Sequence, residues 1–73
     1  MTDNPRELAA RDCEAAAAEL ESAAQHMRTA ARHFRDHEIP RACAHILAAE
    51  GHMLEAQEAI QERAKVHSRK SLP

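Results

Sequence analysis

Alanine returns at every seventh position on both halves of this chain, at Ala9, Ala16, Ala23 and Ala30 and again at Ala42, Ala49 and Ala56. Beside each alanine column runs a column of larger apolar residues: Cys13, Leu20, Met27 and Phe34 in the first half, and Ile39, Ile46, Met53 and Ile60 in the second. Apolar positions three and four apart, sustained over several heptads, predict amphipathic helices with a coiled-coil seam; strands would need strict alternation.

Local signals set the ends. Asn4-Pro5-Arg6-Glu7 combines an N-cap residue, a proline at the first helical position and a glutamate three residues after the cap. The next breaker is Pro40, which disfavours helical backbone at Ile39 and suits a first helical turn of its own. These signals predict one helical-hairpin domain over 4–67, with helix one at 5–37, a turn at 37–39, helix two at 40–67, and a frayed basic tail at 68–73. Gly51 is the weak point of helix two, but the heptad phase passes through it unshifted.

Folded back about residue 38 as an antiparallel hairpin, the chain sets Leu20 opposite Ala56, Met27 opposite Ala49 and Phe34 opposite Ala42. The alternating layers set Ala16 opposite Ile60, Ala23 opposite Met53 and Ala30 opposite Ile46. One large residue against one alanine in every layer predicts close helix axes and disfavours slipped registers. The fold class is therefore all-α, and its alanine-spaced hairpin resembles that of Rop, the plasmid RNA-binding regulator. That resemblance implies a homodimeric four-helix bundle. It covers most of the chain as architecture only; no residue motif is shared, so RNA binding is carried to no position here.

Dimerisation is also written in a second set of columns. Helix one carries Ala10, Ala17, Ala24 and Ala31 beside Glu14, Glu21, Arg28 and Arg35, a column whose sign reverses halfway. Against an antiparallel copy it pairs Glu21 with Arg28 and Glu14 with Arg35, as a two-fold interface requires. Helix two offers Cys43, Leu47 and Leu54 at the same level, so a single axis can serve both contacts. The expected partner is a second copy, arranged antiparallel with the turns at opposite ends, and an unknown protein partner is a further expectation.

Composition adds exclusions. The chain has 73 residues, a single aromatic residue, one glycine and a net charge of −2, which weighs against a dedicated nucleic-acid binder despite Lys65, Arg69 and Lys70 near the end. Its start has no signal-peptide pattern and no apolar run is long enough for a membrane, so the expected location is cytoplasmic. Two cysteines without CxxC spacing read as reduced thiols. Serines and threonines lack triad partners, there is no phosphate-binding glycine loop, and the expectation is that the protein is not an enzyme.

Chemistry resides in the histidines. Of six, His26 and His33 flank the large column of helix one, while His45 and His52 flank that of helix two. Because helical side chains lean toward their own N-terminus, the expected edge pairs are His26 with His52 and His33 with His45. Their spacing of about 10.5 Å along the axis predicts two separate sites. His37 stands one turn beyond His33, giving a candidate three-imidazole cluster of His33, His37 and His45 near Asp36 and Glu38; His52 has Glu55 one turn away. No cofactor is expected on the simplest view, in which the imidazoles cover the seam and face water; the alternative is zinc, copper or nickel on this edge. A third view needs no metal: facing imidazoles that become cations would weaken the hairpin below about pH 6.

The functional expectation is a small homodimeric helical-bundle protein with an interaction or regulatory role. The alternatives are a transition-metal-binding protein using the histidine edge and a nucleic-acid-binding regulator of Rop-like shape.

Overall fold

A computed structural model describes residues 4–70 and consists there of two α-helices, α1 (Pro5–Arg35) and α2 (Ile39–Lys70), packed on each other as a hairpin. Asn4 is extended, its Oδ1 accepts the Glu7 N–H at 2.8 Å, and its carbonyl accepts the Leu8 N–H at 3.1 Å. Pro5 then occupies the first helical position, where its missing amide removes no bond. Glu7 turns its carboxylate to Arg11, 3.5 Å away and one turn on.

Helix α1 stops at Arg35, two residues earlier than its expected end, because the chain closes a Schellman turn. The His37 N–H donates to the Phe34 carbonyl at 3.1 Å and the Glu38 N–H to the His33 carbonyl at 2.8 Å. His37 holds the left-handed position of that motif, φ 61°, where glycine is the usual occupant. Helix α2 begins at Ile39, one residue before the proline, with the Glu38 carbonyl accepting the Ala42 N–H at 3.0 Å. It passes through Gly51 unbroken and continues three residues past its expected end, so residues 68–70 are helical. Residues 71–73 of the expected tail lie outside the described residues.

Among the described residues only alanines are buried: Ala16, Ala23 and Ala30 on α1 and Ala42, Ala49 and Ala56 on α2, none more than 7% exposed. The large columns, expected to share the seam, are not buried in the hairpin; even the best covered, Ile46, remains 37% exposed, and Ile60 is 56% exposed. The reason is steric. Methyl groups on the line between the axes let the helices close to a separation that leaves no room for leucine or methionine, which are displaced to one side. The molecule is a slab, 53 × 31 × 13 Å, only one helix thick.

Candidate functional site

On each helix the residue preceding a large apolar position falls on the far side of the alanine line, so the slab has two unlike faces. One face carries the large residues. The other carries Asp12, Glu19, His26 and His33 from α1, and Glu38, His45 and His52 from α2.

The imidazoles form one continuous ladder. His33 stacks on His45 with ring centroids 5.3 Å apart, and His26 stacks on His52 at 5.4 Å, the two pairings the spacing predicts. Between them His26 also meets His45, centroids 5.2 Å apart, with the two Nδ1 atoms 2.9 Å apart and sharing one hydrogen bond. The pairs are therefore joined, not separate as expected: His26 meets both His45 and His52, and His45 meets both His26 and His33. A carboxylate closes each end. The His33 Nδ1–H donates to Glu38 Oε2 at 2.6 Å, and the His52 Nδ1–H donates to Glu19 Oε2 at 2.7 Å.

The turn and the ladder are one construction, because His33 and Glu38 are the residues that a Schellman motif brings side by side. That position usually holds an apolar contact; here a charge-capable hydrogen bond takes its place. Glu38 also accepts from Arg41, Nη1 to Oε1 3.4 Å, which partly neutralises that arginine one turn before His45. Beyond Glu19, Arg63 Nε lies 2.7 Å from Asp12 Oδ2 as a charge contact without hydrogen-bond alignment.

His45 sits mid-ladder. Loss of solvent, then repulsion between a protonated His45 and the charges of His26, His33 and Arg32, hold its pKa below the ordinary imidazole value. It therefore resists protonation at neutral pH.

The three-imidazole cluster of His33, His37 and His45 does not assemble. His37 is exposed in the turn, and among the described residues no group of three or more His, Cys, Asp or Glu side chains is arranged to hold a metal ion. His52 takes Glu19 across the seam as its carboxylate partner, and Glu55 instead lines a shallow groove with Glu19, Glu58 and three alanines. Glu19 escaped the sequence reading, although it continues the α1 histidine column at the same seven-residue spacing. That continuation was the available signal.

The expected dimer columns lie toward the opposite face. Ala10 and Ala17 are exposed while Ala24 and Ala31 are half-buried; Glu14, Glu21, Arg28, Arg35, Cys43, Leu47 and Leu54 are exposed. Leu20, Met53, Leu54 and Ile60 line a groove there with Glu50 and Gln57. Both thiols, Cys13 and Cys43, are free and exposed. Among the described residues no helix is long and apolar enough to cross a membrane. Compared with known proteins, the chain matches no family model, no curated protein and no solved structure.

Proposed function

We propose that this protein is a non-enzymatic homodimer, two hairpins stacked apolar face to apolar face as an antiparallel four-helix bundle, whose role is interaction or regulation through its polar outer surfaces. The observation that carries this is the uncovered apolar face, where nine large apolar residues, including Met27, Phe34, Met53 and Leu54, are 37–68% exposed. Patches of that extent mark interfaces.

Area supports a second copy. The chain exposes 5869 Å², whereas a compact monomer of 8.1 kDa is expected to expose about 4,500 Å², leaving an excess of about 1,400 Å². A standard interface takes about 800 Å² from each partner. The column Glu14, Glu21, Arg28, Arg35 borders this face, and its sign reversal complements an antiparallel copy of itself. Among the described residues, the ion pairs of the hairpin use other side chains, Glu7 with Arg11, Glu38 with Arg41 and Asp12 with Arg63.

Sedimentation equilibrium at micromolar concentration is expected to give twice the chain mass, and a monomer there would overturn the assignment. Orientation is tested by charge reversal. Glu21→Arg or Arg28→Glu alone should weaken dimerisation several-fold, and the double reversal should restore it, because exposed pairs contribute about 0.2–1 kcal/mol each. Additive losses would exclude the antiparallel arrangement.

A further inference from the structure

We propose that the contact between His26 and His45 is a proton-operated latch: one proton added to the pair leaves it closed, and a second parts the rings and uncovers the alanine seam on the polar face. Every group in it belongs to one chain, so it stands or falls independently of dimerisation.

The geometry sets the two steps. The Nδ1 atoms of His26 on α1 and His45 on α2 meet head-on, 2.9 Å apart, with ring centroids 5.2 Å apart. A neutral imidazole has one N–H and one lone pair, so one ring donates its Nδ1–H and the other accepts at Nδ1 while keeping its proton on Nε2. The first added proton goes to Nε2 of the donor ring. The bond is then charge-assisted and survives. The second can go only to the accepting Nδ1, because that ring's other nitrogen already carries a proton. Two N–H groups then point at each other, the hydrogen bond is gone, and two cations are left in contact. The pair passes from two ring protons to three to four, the added ones drawn from water.

No neighbour absorbs the second charge. Around the pair stand Glu19, Arg32 and His33 from α1 and Glu38, Arg41 and His52 from α2. Both carboxylates are engaged, Glu38 Oε2 by the His33 Nδ1–H at 2.6 Å and Glu19 Oε2 by the His52 Nδ1–H at 2.7 Å. Protonation of either end ring at Nε2 leaves its bond intact and turns it into an ion pair. The end rings can therefore charge in place while stacked on the central two, His33 on His45 and His52 on His26. Acid loads the ladder from its ends and presses like charge on its middle. Loss of solvent and the charges of His26, His33 and Arg32 already hold the His45 pKa below the ordinary imidazole value, as a late second step requires.

Beneath the pair lies the alanine seam, where Ala30, Ala42 and Ala49 are at most 3% exposed. Rings that swing to solvent leave it uncovered, and the polar face changes from a closed ladder to an open cationic edge. The surface offered to a partner then depends on pH across the range in which imidazole titrates.

The test is an NMR titration of the full chain from pH 8 to 4.5, following the ring nitrogen shifts and the ring-to-ring NOE between His26 and His45. The pair is expected to take up protons in two steps, the NOE surviving the first and vanishing with the second. His33 and His52 should keep their Nδ1 protons on the carboxylates throughout, and circular dichroism should keep its helical signal. In His26→Gln the remaining His45 should titrate in one step. Should that variant fail to fold, the wild-type titration alone decides. An NOE that persists to pH 4.5, an NOE lost with the first proton, or loss of helicity together with the NOE overturns the latch.

Discussion

The two faces of the hairpin are built from the same heptads and differ only in which neighbour of the alanine column they display. Toward one side α1 presents leucine, methionine and phenylalanine and α2 presents isoleucine, methionine and leucine, 37% or more of each exposed. Toward the other it presents imidazoles and carboxylates that satisfy one another across the seam through contacts of 2.6–2.9 Å. One face is complete within the chain and the other is not. The polar face satisfies its groups within the hairpin, whereas the apolar face would be covered only in the proposed dimer, and each face can be substituted without touching the other.

The largest effect is expected on the unfinished face. Met27→Glu with Leu54→Glu puts four carboxylates into one dimer interface, and burying each unpaired costs several kcal/mol. Dimerisation should weaken more than 100-fold by sedimentation while the histidine ring contacts persist by NMR in the monomer. Loss of the ladder together with the dimer would show that the faces are coupled and would break the contrast.

The seam comes next. Ala49 has no exposed surface, and overpacking at such a site costs about 1–3 kcal/mol. Ala49→Leu is expected to lower the urea midpoint and to force the axes apart, stretching the His26–His45 contact. A variant as stable as wild type would mean that the axes are not held by alanine contact.

A smaller effect is expected on the histidine face. His45 meets His26, His33 and Arg32 from α1, and the ladder ends on Glu19 and Glu38. Its folded pKa lies below the unfolded value of about 6.5, so below that pH the unfolded chain takes up the proton first. Stability is then complete above about pH 6.5 and lost as pH falls through the folded value. Thermal midpoints should be flat from pH 8 to 7 and decline toward pH 5, and His45→Gln should flatten the decline. An unchanged slope in that variant would remove His45 as its cause.

What could be read beforehand follows the physics of each contact. The alanine seam, the Asn4 cap and the stacked pairs His26–His52 and His33–His45 follow from local chemistry and seven-residue periodicity, which one chain carries in full. The place of the large column does not. Heptad spacing puts Leu20 and Ala16 on adjacent stripes of α1 and cannot say which stripe meets the intrachain helix, since a four-helix bundle would bury both. The His26–His45 bond was missed because a pairing rule assigns one partner to each residue, whereas side chains longer than the seam is wide reach two. His37 in a left-handed turn was missed because that position usually announces itself with glycine.

Gly51 offers the smallest change and the finest discrimination between the faces. It lies inside α2 at an ordinary helical φ, and a β-carbon there would meet nothing within 4 Å of the hairpin. For the isolated hairpin, Gly51→Ala should therefore stabilise by about 0.5–1 kcal/mol through helix propensity alone. In the proposed antiparallel dimer, however, Leu47 and Leu54 of two copies would meet near this level, and a close approach there would turn the same methyl group into a clash. Measuring the variant twice, as wild-type dimer and on the Met27→Glu, Leu54→Glu monomer, separates the two contributions. Stabilisation in both states would place Gly51 clear of the interface. Stabilisation of the monomer with loss in the dimer would mark residue 51 as the point where the copies come nearest, and would locate the two-fold axis without a structure of the dimer.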